Sequence, residues 1–351
     1  MAEVERLVSA RGPAGDEFDV ADVFEELVQP HVDDVRQDEL GNVVATAHGS
    51  DPDAPEMMLA GHTDELSFLI RDVTDDGFLR FSWLGAHYAG NLPGQRVRVG
   101  PDEVLGVIGP KSRHRMSEDE FGSLPDDLFI DVGARSAREV YDLGVREGDY
   151  ATWDREVDEL ANGRITGRAL DDRIALAVLV DVARNADTDA TVHYVATVQE
   201  EPGLRGAQMT AYDLDPDVAV AVDIFPADHP GEDDEFAAPL GDGPAVQIGD
   251  SVSELLVSGV LVNQQTQQWL RDASDGADVD VQWTFFQGGT TDATEFQVVR
   301  GGRHAGVVSI PCRYTHSPVE TVSMADANET ADLLAEAVAT RFPTREEARD
   351  R

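Results

Sequence analysis

From Arg164 onward the chain repeats one rhythm. A short run that is apolar end to end is followed by a turn, then by a longer stretch with apolar residues every three or four positions. Runs 192–199, 218–224, 279–286 and 305–310 read as strands. Stretches 172–186, 204–212, 292–299 and 324–341, with a long one within 254–273, read as helices. Strands that do not alternate polar with apolar must be covered on both faces. The rhythm therefore predicts an α/β fold, a mainly parallel central sheet flanked by helices. A helical stripe in 16–30 and strands at 43–48 and 55–61 belong to the same sheet. Between 67 and 162 the texture changes to short β runs, 68–71, 78–81, 95–99 and 104–108, separated by Gly, Pro and Asp, with one helical stretch at 137–143. The expected organisation is an α/β unit, residues 1–66 plus 163–351, interrupted by a small β-rich insert, 67–162. The polar segment 112–125 reads as a loop.

Charge limits the partners. Asp and Glu number 69 against 27 Lys and Arg, a formal net charge of −42, and Lys111 is the lone lysine. Such a surface repels nucleic acid and anionic membranes, which need a positive footprint. The acids are spread over the whole length rather than gathered in a tail. Concentrated salt accounts for this, because there the charges are screened and self-repulsion costs little. Cys312 is the single cysteine, so no intramolecular disulfide forms, as suits a reducing cytosol. The N-terminal residues lack a signal-peptide pattern and 174–180 is the longest aliphatic run, too short to span a bilayer. A cytoplasmic location is expected.

Against this acidic background, candidate chemistry gathers where apolar runs end. The run from Thr191 stops at Gln199-Glu200-Glu201-Pro202-Gly203. Gly61-His62-Thr63-Asp64-Glu65, Leu170-Asp171-Asp172, Asp223 and His316-Ser317-Pro318-Val319-Glu320 stand at comparable places. Strand ends in an α/β sheet are where a site collects. Two histidines and several carboxylates suit zinc, cobalt or manganese, and a paired-metal site with a free carboxylate as base would hydrolyse an amide. Each piece alone also has a plain structural reading. Glu200-Glu201 fits a solvated turn, Asp171 a helix cap, Asp223 a turn acid, and His316 before Ser-Pro a turn. Cys312 reads as core packing, and His87 and His114 as structural or interfacial residues.

Taken in order, Gly61-His62-Thr63-Asp64-Glu65, Gly167-Arg168-Ala169-Leu170-Asp171-Asp172-Arg173, Gln199-Glu200-Glu201 with Gly203-Leu204-Arg205-Gly206-Ala207, Ala221-Val222-Asp223 and His316-Ser317-Pro318-Val319-Glu320 form a set. This set resembles the M42 metallo-aminopeptidases, a tetrahedral-assembly family with relatives labelled glutamyl aminopeptidase or endoglucanase. Leu92-Pro93-Gly94-Gln95-Arg96-Val97 and Asp131-Val132-Gly133-Ala134 resemble that family's insert, so the likeness covers nearly the whole chain. The acidic composition resembles its haloarchaeal type. The resemblance implies two divalent metal ions per subunit, Zn2+ or Co2+ with Mn2+ as a further option. His62, Asp171 and Asp223 would hold one and Asp171, Glu201 and His316 the other. Glu200 would be the general base and Asp64 would orient His62. The Asp171–Asp172 bond matches a position that is often cis in the wider clan. The resemblance further implies short peptide substrates and an insert that pairs subunits into dimers, which assemble into a dodecamer. Ser67 and Pro202 depart from the family pattern, which bears on the loops shaping the site. Another di-metal amide hydrolase of the clan, a carboxypeptidase or deacetylase, is the alternative. A metal-free endoglucanase-type glycosidase and a non-catalytic assembly protein come behind it.

Overall fold

The computed structural model describes residues 1–118, 128–228, 238–252, 258–343 and 347. Residues 119–125 of the polar segment and 254–257 of the expected long helix lie outside them.

The fully apolar runs do become buried strands. Met57–His62, Val192–Thr197 and Val218–Pro226 lie side by side in parallel, and His304–Arg313 continues the parallel centre beyond Val218–Pro226. Among the described residues eleven strands make one mixed sheet. Its flanks are antiparallel: Asp34–Gln37 and Val43–Ala47 on one side, and Glu320–Ser323, Arg164–Gly167 and Asp158–Leu160 on the other. Asp158–Leu160, within the stretch expected to belong to the insert, thus pairs in the large sheet. Ala245–Ser251 and Gln282–Gln287 branch off His304–Arg313.

Helices cover both faces, as end-to-end apolar strands require. One face packs Ala2–Ser9, Phe18–Val28, Leu170–Asn185, Gln264–Ala277 and Met324–Ala339 around Val178, Leu179, Trp269 and Leu334. The other carries Arg205–Leu214 and Ala293–Val298, with Ala207, Ala211 and Phe296 against Val195 and Val307. Leu170–Asn185 is buried along most of its length because it crosses the sheet beneath other helices. The expected helix within 254–273 begins at Gln264, where Asn263 caps the Thr266 amide, and runs on to Ala277.

A second β unit lies between Ser67 and Trp153. Six strands close into a barrel around Phe68, Ile70, Val97, Ile108 and Trp153. Its first strand follows His62 by five residues, so the barrel begins beside the C-terminal ends of the parallel strands. Cys312 is fully buried in the main core, and burial pushes its thiol up, which makes it packing rather than a nucleophile. His87 is buried as well. Its Nε2–H donates to the Ser67 carbonyl at 2.9 Å, its ring stacks on Phe68, and burial lowers its pKa to about 4. Among the described residues no helix is long and apolar enough to cross a membrane.

Candidate metal centre

His62 ends one central strand, Asp223 lies near the end of its neighbour on one side, and Glu200 and Glu201 follow the neighbour on the other. All four therefore reach the same crevice at the carboxyl edge of the sheet. Asp171 enters from the first, non-helical residues of Leu170–Asn185, and the Asp171–Asp172 peptide is cis. His316 comes from the loop that reverses His304–Arg313 into Glu320–Ser323. Together these side chains line a cavity of about 430 Å³.

Asp171 is the hub. Its Oδ1 lies 3.0 Å from His62 Nε2, and its Oδ2 lies 3.5 Å from His316 Nε2. Each imidazole is turned by a main-chain carbonyl behind it. His62 Nδ1 is 3.1 Å from the Asp64 carbonyl, and His316 Nδ1 is 3.2 Å from the Ala86 carbonyl. A carbonyl only accepts, so each Nδ1 carries a hydrogen and Nε2 is the atom left for a second proton or a metal. Both Nε2 atoms face Asp171, and His316 Nε2 is also 3.8 Å from Glu201. Lone pairs facing carboxylates need a proton or a metal cation between them.

Donor atoms of His62, Asp171 and Glu201, and those of His62, Asp172 and Asp223, all lie within 4.8 Å of one another in each set. Asp172 Oδ1 is buried without a hydrogen-bond partner. Among the described residues lining the cavity none is Lys or Arg. Imidazole and carboxylate donors in this arrangement fit borderline divalent metals.

The titration behaviour reports the same crowding of acid. Burial pushes Glu200, Asp223, Asp172 and Glu320 well above the carboxylate range, and neighbouring acids add to it. Burial raises Glu201 to about 7 and Asp292 to about 6. Burial also opposes charge on Asp171, but hydrogen bonds from His316 and His62 outweigh it and hold Asp171 well below the usual range. Burial disfavours charge on the two rings too, yet their carboxylate partners prevail, raising His62 well above its ordinary value and His316 to about 10. A site this acidic favours the protonated form of both imidazoles.

Four further carboxylates shape the site, and of these the motifs gave a role only to Asp64. The Asp64 carboxylate, expected to face the second ring nitrogen of His62, lies 3.5 Å from it and is mainly occupied elsewhere. Its two oxygens accept the Glu200 and Glu201 amides at 2.9 and 3.1 Å, clamping the peptide that separates the two glutamates. Glu320 bridges two loops, accepting the Asp171 amide at 3.0 Å and the His316 amide at 3.1 Å. Asp292 accepts the Thr197 hydroxyl at 2.6 Å beneath the cluster. Glu65 pairs with Arg168 and Arg173 in the interior. Two arginines bracketing an Asp-Asp pair in so basic-poor a chain was the available hint of that last grouping.

The sequence profile of the family described as M42 glutamyl aminopeptidase matches residues 41–333. The lysyl aminopeptidase of Pyrococcus furiosus is 30% identical over 339 residues, 94% of each chain. Among solved structures, an aminopeptidase from the archaeon Desulfurococcus kamchatkensis is 39% identical with a TM-score of 0.90, the match covering 99% of this chain and 96% of that one. The Pyrococcus horikoshii TET1 peptidase, which can assemble into a tetrahedron or a large octahedral shell, is 27% identical with a TM-score of 0.83, covering 96% and 98%.

Proposed function

The chain belongs to the M42 glutamyl aminopeptidase family and is a peptidase, and from that premise we propose that it removes first residues from short peptides with the help of two divalent metal ions. The observation that carries the metal reading is Asp171 between two imidazoles whose Nδ1 atoms are both turned onto main-chain carbonyls. In this reading His62, Asp171 and Asp223 hold one ion and Asp171, Glu201 and His316 the other, with zinc or cobalt the favoured metals and manganese suitable. Asp171 is preferred to Asp172 as the shared ligand because Asp172 Oδ2 already accepts the His62 amide at 3.1 Å. Bound there, such a pair supplies Lewis-acid polarisation of the scissile carbonyl and makes water more acidic.

Glu200 is the remaining carboxylate in the cavity, and its proton affinity is raised by burial and by its acidic neighbours. It takes a proton from the attacking water and returns it to the leaving amine. Asp64 keeps Glu200 and Glu201 in their separate roles by gripping both amides. The free α-amino group of the peptide is drawn to the same acidic cluster. Away from that cluster the described wall is neutral, with Ile224, Pro226, Phe286, Gly289, Thr290 and Thr291. Relatives carry lysyl and glutamyl names, but this wall offers neither a carboxylate nor a base to such a side chain. It suits a neutral, apolar first residue.

Assembly into a homo-oligomer follows the assembling relative; in this reading dimers build a dodecamer, with the residue 67–162 insert as the pairing unit. Apolar Trp83, Leu105 and Val107 are exposed on the barrel, as a pairing surface would require. The charge of −42 supports work at high salt, and the single cysteine suits a reducing cytosol.

The test is made in molar potassium chloride. Chelation should abolish hydrolysis, and zinc, cobalt or manganese should restore it. Free peptides should be cut and N-acetylated ones spared, with leucine-type first residues ahead of Glu and Lys. Equal cleavage of acetylated peptides would remove the aminopeptidase reading, and activity surviving complete metal loss would remove the metal reading.

A further inference from the structure

The two imidazoles at the centre are held alike but from different places. The carbonyl that turns His62 belongs to Asp64, in the same loop. The carbonyl that turns His316 belongs to Ala86, which directly follows the barrel strand Phe78–Leu84 and its Gly85. The barrel therefore reaches into the centre, and two features fix its approach. Gly85 has φ +87°, and a Cβ there would come within 2.1 Å of Leu66 Cδ2 and 2.9 Å of Glu201 Oε2, so only glycine lets the turn lie against Glu201. His87, next in the turn, is pinned to the barrel by its 2.9 Å bond to the Ser67 carbonyl and its stack on Phe68, with Trp153 edge-on at 5.7 Å.

We infer that the Gly85–His87 turn of the barrel is a positioning element for one metal position only, that of Glu201 and His316, through the Ala86 carbonyl that sets the His316 tautomer. The inference rests on the two-metal reading above. A carbonyl behind a ligating imidazole fixes the ring and raises its basicity, and loss of such a partner typically costs about 10–100-fold in metal affinity or activity. The His62 ring is turned by the carbonyl of its own loop. Ala86 lines the cavity, and its carbonyl decides where His316 Nε2 points.

Full-length protein stripped with a chelator is titrated with Co2+ in molar salt, by calorimetry and visible absorption, for wild type, Gly85→Ala, His87→Leu and His87→Phe. Wild type should show two binding events. Gly85→Ala and His87→Leu should weaken one event by about 10–100-fold and leave the other. In both, kcat should fall at low cobalt with KM for peptide unchanged, and excess cobalt should restore it. His87→Phe keeps the stack but loses the donor to Ser67, so it should weaken the same event less. It decides the matter if His87→Leu does not fold. Two undisturbed events in both Gly85→Ala and His87→Phe would overturn the inference. Equal weakening of both events would also overturn it, since that marks general loosening. A wild type without two events would overturn the two-metal reading itself, and this inference with it.

Discussion

Two groups of buried charge lie back to back in this protein, and the same two stretches of chain build both. Gly61-His62-Thr63-Asp64-Glu65 sends His62 toward the cavity and Glu65 the other way. Gly167-Arg168-Ala169-Leu170-Asp171-Asp172-Arg173 sends Asp171 to the cavity and Arg168 and Arg173 to Glu65. On the inner side the charges are balanced within the chain. Arg168 donates to both Glu65 oxygens at 2.6 and 2.5 Å, Arg173 Nε donates to the Leu7 carbonyl at 3.2 Å, and the Gly12 amide donates to Glu65. Burial alone would raise Glu65, but the two guanidiniums outweigh it and lower its pKa. On the cavity side burial raises Glu201 to about 7, with Asp171 and Asp64 adding to it and the two imidazoles opposing it. Carboxyls of similar depth thus titrate in opposite directions. The difference separates structure from chemistry. The balanced group ties the motif loops to the N-terminal helix, whereas the unbalanced group has no Lys or Arg among the described cavity residues and is the one that the proposed metal ions would complete.

The largest effect expected on the unbalanced side is catalytic. Glu200→Gln should lower kcat by about 10²–10⁴-fold while metal content stays at the wild-type level. A variant that turns over normally would take the base role away from Glu200. On the balanced side, Arg168→Met leaves Glu65 buried with Arg173 alone. It should cost about 3–5 kcal/mol in denaturant unfolding, by the same amount with and without metal. A metal-dependent cost would mean that the two groups are not separable.

A smaller effect has a sign that depends on metal. Glu201→Gln removes a carboxylate that the stripped protein holds at a raised pKa of about 7 against 4.5. It should stabilise the stripped protein at pH 8 by about 3 kcal/mol and destabilise the cobalt-loaded one. Melting curves with and without cobalt would show whether the lines cross.

The smallest effect is a slope with pH. Where an acid's folded pKa is raised, the folded state binds more protons than the unfolded one between the two values. Stability of the stripped protein should therefore rise as pH falls from about 7 toward 4.5, through Glu201, Glu17 and their raised neighbours. The slope is about 1.4 kcal/mol per pH unit for each extra proton. His87 and His193, lowered by burial to about 4, oppose it, since they lose stability below their ordinary 6.5. Below about 4.5 the lowered pKa of Glu65 turns the curve down, as its pairing with Arg168 and Arg173 is lost. Loaded protein should instead lose stability throughout as protons displace metal. A stripped protein whose stability falls steadily from pH 7 would deny that the cavity side is unbalanced.

The central strands were legible because a strand covered on both faces must be apolar throughout, and 192–199 and 218–224 show it. Flanking strands such as Asp34–Gln37 and Arg164–Gly167 were not, being short and partly polar and held by neighbours distant in sequence. The ordered motifs also supplied the family and the residues that meet in the cavity. Local pattern did not say which acids would be balanced. Asp64 and Glu65 are adjacent carboxylates in sequence, and only the path of the chain aims one at the Glu200 amide and the other at Arg168. Nor does local pattern hold Ala169, Gln199 and His316 at φ +52°, +53° and +57°, a left-handed conformation disfavoured by their side chains. Packing around them fixes those turns and so the direction of Asp171, Glu200 and the His316 ring. Residue type and order are properties of the chain, and they determined the fold class and which residues could form the site. Direction and charge balance depend on contacts between segments more than a hundred residues apart, as between His62 and Asp171, where |i−j| is 109, and these the tertiary structure decided.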